Sequence, residues 1–537
     1  MRTLRWPAVV AAGLLAGLVG VGLMILLLAV GRAWFGISPP PEAIPDRFAP
    51  TLDIATFFDL FGRFGGYNGL KKFGVRSGLI GLVAVGALVG VAYALVVESG
   101  RSRRTGFGRS GPSLPGILFV AIAALVLWVA TLVVLWPVLD ANYRGLPPSR
   151  ARFVSTLGLL IAYAAYGLAL VASYRFLVPR RQADNEATPV GVPVGRRALV
   201  LGAVGAALAL PSFAIIRRLY DRATFAYDGR PYSGPGVEPI APNDLFYTVT
   251  KNVVDPNVTT AAWRLDVDGL VEEAKRYGFD DLAALPAVDQ ETTLMCISNQ
   301  IGSGLFSNAV WRGVPLPDLL AASRPRDGAV EVRLHAADGY VDTFAFEKAM
   351  DPTTLVAYRM NGEPLPRRHG FPARIVVPGL YGEKNVKWLT GIEVVDHDAE
   401  GFYEQQGWGP NFEVPTRSDF FAPKVDEVRG AFRFGEPFRV GQPVRLRGRA
   451  FAGARGVAGV EFSADDGQTW SEARIDYPGT ELTWKFWSVE WRPEAAGEAI
   501  LLSRATDGTG AVQAPDRRGI VPQGATGYHR VVATVEG

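Results

Sequence analysis

Thr293-Leu-Met-Cys-Ile-Ser-Asn-Gln-Ile-Gly-Ser-Gly304 holds the only cysteine of the chain, Cys296, and is followed by Asn308-Ala-Val-Trp-Arg-Gly-Val-Pro-Leu316. One thiol cannot make an intrachain disulfide, an all-cysteine zinc site or a cysteine-bound iron–sulfur cluster. An unpaired cysteine is most often a small buried hydrophobe. A chemical role for Cys296 therefore has to come from the residues around it.

Those residues lie in a long and uneven chain. Its 537 residues exceed one compact domain and predict about three or four. Apolar residues crowd the first 220 positions, whereas charged and turn-forming residues dominate the remainder. The net charge is only +3, and no dense basic run with interleaved aromatics occurs, which argues against a nucleic-acid partner.

Five apolar stretches are long enough to cross a lipid bilayer, which takes about 20 helical residues. They run approximately over Val9–Gly31, Gly78–Val97, Gly116–Leu139, Val154–Val178 and Ala198–Ile216. The first is too long for a signal-peptide core and no cleavage site follows it. Residues 1–220 thus predict a five-helix transmembrane bundle, multi-pass in the cytoplasmic membrane.

Arg2, Arg5, Arg101, Arg103, Arg104, Arg109, Arg180, Arg181, Arg196 and Arg197 flank the spans on one side. By the positive-inside rule this places the N-terminus in the cytoplasm and everything after Ile216 outside, although the opposite segments also carry Lys71, Lys72, Arg76, Arg144, Arg150, Arg152, Arg217 and Arg218. Arg196-Arg197 reads either as a twin-arginine export element or as an ordinary cytoplasmic helix flank. His335, His369, His397 and His529 are the only histidines and all lie beyond the bundle, so a bis-histidine haem is not expected there. The expected role of the bundle is anchorage or partner docking.

Residues 221–244, with Asp228-Gly-Arg-Pro-Tyr-Ser-Gly-Pro-Gly236, read as a turn-rich linker. From 245 to 418, short β-branched segments alternate with helical patches at Leu316–Ala322 and Phe346–Met350, which predicts an α+β domain. From 419 to 537 the pattern is β. Val444-Arg-Leu-Arg-Gly-Arg-Ala-Phe451 alternates with period two, Asp466-Gly467 suits a tight hairpin, and further strands around Trp484–Trp491 and Glu498–Thr506 predict a C-terminal all-β immunoglobulin-like sandwich.

Several ordered motifs between about Asp244 and Gly407 carry a family resemblance. Phe246-Tyr-Thr-Val-Thr-Lys-Asn252, Asp255-Pro256 and Trp263-Arg-Leu-Asp-Val-Asp-Gly-Leu270 come first, then the cysteine loop and Ala336-Ala-Asp-Gly-Tyr340. Last comes Ala357-Tyr-Arg-Met-Asn-Gly-Glu-Pro-Leu-Pro-Arg-Arg-His-Gly-Phe-Pro-Ala-Arg-Ile-Val-Val-Pro-Gly-Leu-Tyr-Gly-Glu-Lys-Asn-Val-Lys-Trp388. Together they resemble the sulfite oxidase family of molybdopterin-dependent oxidoreductases.

The resemblance implies a molybdenum–molybdopterin cofactor with Cys296 as thiolate ligand and catalytic residue. It implies pterin and phosphate contacts from His369, Arg374 and Lys387, backbone groups from Asn385 and Val386, and further contacts from Tyr247, Lys251, Asn252 and Asp338. A soft, high-valent metal suits a thiolate, and an arginine fork suits a phosphate. Taken singly, His369 is equally an ordinary loop histidine, and Arg374 is equally a partner of Glu363 or Glu393. Trp263, Trp311 and Trp388 read as core aromatics.

The implied reaction is oxygen-atom transfer to or from a small-molecule oxyanion or sulfoxide, with an external cytochrome or haem membrane protein as electron-transfer partner. A homodimer through the C-terminal domain is implied for some members. The cysteine loop here lacks the arginine by which true sulfite oxidases hold their dianion, and Arg312 or Arg417 replaces it only if folding brings either near. Loss of that clamp allows an uncharged S-oxide or N-oxide. A non-catalytic, membrane-tethered binding protein fits the anchor and the β domain equally well and would have no need to keep Cys296, His369, Arg374 and Lys387 in one pocket.

Overall fold

The computed structural model describes residues 6–102, 114–178, 194–428 and 430–537. The flanking arginines Arg2, Arg5, Arg103, Arg104, Arg109, Arg180 and Arg181 lie outside the described residues. Two compact units form. The first contains the helices up to Ala223 together with Asn252–Asn257; the second contains Thr224–Lys251 and Val258–Gly537, with the short stretch Pro50–Phe57.

Among the described residues, five helices are long and apolar enough to cross a membrane. They are α1 (Trp6–Val30), α2 (Tyr67–Ser102), α3 (Leu114–Leu135), α4 (Pro148–Leu177) and α5 (Val194–Tyr220). Apolar burial alone does not bring such helices together in lipid, so close backbone approach matters. Gly13 and Gly17 of α1 face Gly86 and Gly90 of α2 so tightly that a Cβ on Gly90 would lie 2.4 Å from the Gly13 carbonyl oxygen and 2.7 Å from the Gly17 Cα. The Tyr166 hydroxyl of α4 donates to the Gly86 carbonyl at 2.6 Å, tying a third helix to the same seam.

In the second unit, β1 (Leu265–Gly269), β2 (Lys275–Tyr277), β5 (Glu331–Ala336), β6 (Val341–Ala345) and β10 (Leu389–Val395) form one sheet in the order β2-β1-β10-β5-β6. Its β1 and β10 run parallel, the other pairs antiparallel. A second sheet orders β3 (Val288–Met295), β4 (Phe306–Pro315), β7 (Leu355–Met360) and β8 (Glu363–Pro364), with β9 (Arg374–Val376) on β7. Helices at Leu316–Ser323 and Phe346–Ala349 occupy the two patches expected. Trp263, Trp311 and Trp388 are buried, and each indole N–H donates to a carbonyl, of Leu389, Thr292 and Arg367 respectively. That satisfies the one polar group such a residue brings into a core.

The last 120 or so residues are β-rich. The strands β11 (Arg417–Ala422), β15 (Val444–Phe451), β19 (Lys485–Trp491) and β18 (Arg474–Tyr477) make one sheet in that order. The other runs β12 (Val425–Val428), β13 (Ala431–Phe434), β21 (Val531–Glu536), β20 (Gly497–Asp507), β16 (Val457–Ser463), β17 (Ser471–Glu472), with β14 (Phe438–Arg439) on β21. Phe420, Leu446 and Trp487 of the first pack with Val460, Leu501 and Val531 of the second in one core. Asp466 and Gly467 both take positive φ, 57° and 87°, but the last pair between β16 and β17 is Phe462 with Ser471, so the connection is a longer loop than the tight hairpin expected.

The Gly90 seam yields a test. Gly90→Ala pushes a methyl into backbone atoms that cannot swing aside, at a cost of about 1–3 kcal/mol, while Gly81→Ala points into open space. Thermal unfolding in detergent should show the first variant clearly destabilised and the second unchanged.

Candidate functional site

The signature folds back on itself through β7, β8, β9 and β10, with short turns at Arg367–His369 and Gly382–Lys384. This brings the residues between His369 and Lys387 together at the edge of the second sheet. Arg374, at the start of β9, is 4% exposed and lies between both turns. Its Nη1 donates to the His369 carbonyl at 3.2 Å, Nη2 to the Asn385 carbonyl at 2.8 Å and Nε to the Ile375 carbonyl at 3.3 Å. Its guanidinium carbon stands 5.0 Å from the Trp311 ring centroid. Neither carboxylate considered from sequence is its partner: Glu393 pairs with Arg333 and His335, and Glu363 accepts from Asn243. Burial lowers the Arg374 pKa to about 10, with Tyr247 opposing, so it remains a cation at neutral pH.

His369 is held in one tautomer. Its Nε2 is 2.7 Å from the Asn243 carbonyl oxygen, which can only accept, so Nε2 carries the proton and Nδ1 is an acceptor. Burial first, and then Arg374, Lys387 and Arg368, lower its pKa to about 3. Lys387 Nζ donates to the carbonyls of Val249 and Arg368 at 3.3 and 3.4 Å. The side chain of Asn385 stitches the turn, accepting from Val377 N–H at 2.7 Å and donating to the Tyr381 carbonyl at 2.9 Å, and the Val386 carbonyl accepts from Ile375 N–H at 3.0 Å.

Cys296 follows the end of β3, buried, with Sγ 3.1 Å from Ser298 Oγ. The same turn of the signature reaches it: a Cβ built on Gly382 would lie 3.6 Å from the Cys296 Cα and 2.5 Å from the Tyr247 hydroxyl. Tyr247 is buried between Cys296 and Arg374, and its pKa is raised well above the usual phenol value, chiefly by burial. Burial, followed by the carboxylates of Glu383 and Asp228, pushes the Cys296 thiol up to about 12.

Lys251 and Asp338 form a second pair, Lys251 Nζ donating to the Asp338 carbonyl at 3.0 Å while Asp338 Oδ1 accepts from Tyr340 N–H at 3.1 Å. Asn252 is placed apart. It opens the segment that belongs to the helical unit, where its carbonyl accepts from Lys71 Nζ at 3.1 Å and its Oδ1 from the Tyr143 hydroxyl at 3.3 Å.

Two arginines considered as stand-ins for an anion clamp are accounted for otherwise. Arg312 is exposed on Asp289 at 2.6 Å. Arg417 does reach the cysteine loop, but its guanidinium is closed off by Asp419 at 2.8 Å and by loop carbonyls.

Glu383 escaped the sequence reading. Its neighbour Lys384 looks like its partner, yet Lys384 Nζ serves Asp342 at 2.8 Å and Glu404 at 3.2 Å. Both Glu383 carboxyl oxygens are shielded from solvent and have no side-chain partner among the described residues, although the residue as a whole is only half-buried. Burial above all, with Asp342 adding to it, raises its pKa to about 8.

Among the described residues no group of three histidine, cysteine or carboxylate side chains converges. Cys296 is thus a single soft donor under the influence of Glu383 and Asp228, while the cations gather around His369. That donor set fits a metal whose other ligands arrive with an anionic cofactor, and does not resemble an all-protein cage.

The Glu383 shift has a measurable sign. A carboxyl whose folded pKa, about 8, lies above its ordinary 4.5 stabilises the fold below pH 4.5 and loses that contribution as pH rises through about 8. Glu383→Gln is neutral throughout, so its melting temperature should climb relative to wild type from about pH 5 to about pH 8.5. A constant difference across that interval contradicts the assignment.

Comparison with known proteins bears on the family. A family model described as "Oxidoreductase molybdopterin binding domain" matches residues 252–403, and one described as "Mo-co oxidoreductase dimerisation domain" matches 434–536. Sulfite oxidase of Gallus gallus is 30% identical over 336 residues, covering 54% of this chain and 72% of that protein. Mitochondrial sulfite oxidase of Rattus norvegicus is also 30% identical, over 338 residues, covering 54% of this chain and 61% of its own length. Among solved structures, the sulfane dehydrogenase SoxCD from Paracoccus pantotrophus aligns with TM-score 0.48 and 24% identity over 56% of this chain and 84% of that one. The chain belongs to the sulfite oxidase-type family of molybdopterin oxidoreductases.

Proposed function

We propose that this chain is a membrane-anchored molybdenum–molybdopterin enzyme that carries out oxygen-atom transfer on a small-molecule substrate at the outer side of the cytoplasmic membrane. The observation that carries the reading is that Gly382 of the signature adjoins both Cys296 and Tyr247, while Arg374 joins the turns that bear His369 and Asn385. A tethered binding module without cofactor has no need to keep that set of residues together. Five long apolar helices and the basic flanks support the anchor and its orientation.

The cofactor, when bound, supplies two-electron oxygen-exchange chemistry at molybdenum. The chain's own groups bind and orient it. Arg374 spends three of its five N–H donors on main-chain carbonyls, leaving two for a phosphate. His369 Nδ1 offers an acceptor to a ring N–H, and Lys387 adds a point charge. Cys296 must release its proton to bind a metal, and a thiol held near 12 does so only when the metal takes the proton's place.

A second reading concerns the substrate. Arg312 and Arg417 are both committed elsewhere, and the charged groups acting most strongly on the Cys296 thiol are carboxylates. That environment supports an uncharged S-oxide or N-oxide over a sulfite dianion. The match of the C-terminal residues to a dimerisation domain, and their two sheets around one core, support an immunoglobulin-like sandwich that pairs the chain as a homodimer. An external electron-transfer partner, a cytochrome or haem membrane protein, completes the cycle.

Protein from molybdate-replete cells should carry close to one molybdenum and one pterin per chain by elemental analysis and pterin fluorescence. Cys296→Ser should lower metal content about ten-fold or more, and Arg374→Met should lower pterin content by a similar factor. Wild-type protein without either component would overturn the reading.

A further inference from the structure

The cysteine loop is the tip of the β3–β4 hairpin, whose ladder ends at the Met295–Phe306 pair. Within the loop the main chain is held by a few turn contacts, chiefly Cys296 N–H to the Leu305 carbonyl at 2.9 Å and Asn299 N–H to the Cys296 carbonyl at 3.0 Å. Asn299 Oδ1 accepts from Leu305 N–H and the Gly304 carbonyl accepts from Tyr232 N–H, both at 2.8 Å, and further support comes from residues more than 100 positions later, on β11, β15 and the approach to β21.

Arg417 of β11 donates from Nη1 to Met295 Sδ and to the Asn299 carbonyl, both at 3.4 Å, and from Nη2 to the Gln300 carbonyl at 3.1 Å. Asp419, two residues on, neutralises Arg417 and accepts from Gly302 N–H at 3.2 Å. Arg449 of β15 bridges the Tyr232 carbonyl at 2.9 Å and the Ser303 carbonyl at 3.0 Å, with its guanidinium 3.8 Å from the Phe306 ring centroid. His529 closes the far side: a Cβ on Gly302 would stand 2.5 Å from His529 Nε2, and Gly302 takes φ of 73°. Each of the four residues is almost fully buried. Of these two buried guanidinium groups Arg417 pairs with the one carboxylate, Asp419, and the other acceptors are carbonyls of the loop, the Met295 sulfur and the Tyr232 carbonyl.

We propose that Arg417 and Arg449 are positioning residues for Cys296: the β-rich C-terminal domain clamps the cysteine loop through its main-chain carbonyls and so fixes the thiol facing the cofactor pocket. The role assigned to the thiol rests on the function proposed above, whereas the clamp itself is a statement about loop geometry that metal-free protein can test. Both residues act through the loop and neither touches the reacting atoms.

Because Cys296 is the sole cysteine, its alkylation by iodoacetamide reports on this loop alone. The full-length chain, purified in detergent from cells grown without molybdate, is compared with Arg449→Met, Arg449→Lys and the charge-balanced pair Arg417→Met with Asp419→Asn. The expected result is an alkylation rate about ten-fold or more above wild type for Arg449→Met and for the pair, independent of urea at low concentration as local opening requires. Arg449→Lys should fall between. Rates equal to wild type, or rates that rise only along the urea dependence of global unfolding, would overturn the proposal. If instead the clamp holds but molybdate-grown wild type carries no molybdenum, the failure belongs to the metal assignment and not to the loop.

Discussion

A positive charge buried without a carboxylate partner among the described residues is the constraint around which the signature of the second unit is arranged. Arg374 shares its charge among the carbonyls of His369, Ile375 and Asn385 and the face of Trp311. Burying an ion is tolerable only when its donors are met. The signature therefore has to fold so that two turns present oxygens to one guanidinium. That fold also sets His369 against the Asn243 carbonyl, brings Lys387 to Val249 and Arg368, and carries Gly382 up to Cys296. One ionic side chain thus organises both ends of the site.

Much of this was legible from the chain. The five apolar helices follow from length and hydropathy, and the C-terminal strands from alternation and the Asp466-Gly467 turn. Cys296 and the signature were readable because ordered motifs carry more information than any residue alone. Where residues act through their main chain or across long separations, the text of the sequence is silent. Arg449 reads simply as one polar position in an alternating strand, and nothing marks it as a partner of Ser303, 146 residues earlier. Glu383 beside Lys384 looks like a surface ion pair, and only the fold shows that Asp342 and Glu404 take the lysine. Asn252 belongs by motif to the cofactor domain and by packing to the helical unit, because Lys71 and Tyr143 satisfy it there.

The two ends of the site differ in electrostatic character. Around His369 and Lys387 the charges are cationic and met by main-chain carbonyls; around Cys296 the nearest influences are Glu383 and Asp228.

The single tautomer of His369 bears on how the pocket discriminates. A histidine is ordinarily the side chain that changes character between neutral and mildly acidic surroundings. Here burial and three neighbouring cations keep the ring uncharged down to about pH 3. Its Nδ1 consequently remains an acceptor for an N–H or O–H at every pH above about 3. At that end of the site, hydrogen-bonding character is insulated from the environment's proton concentration.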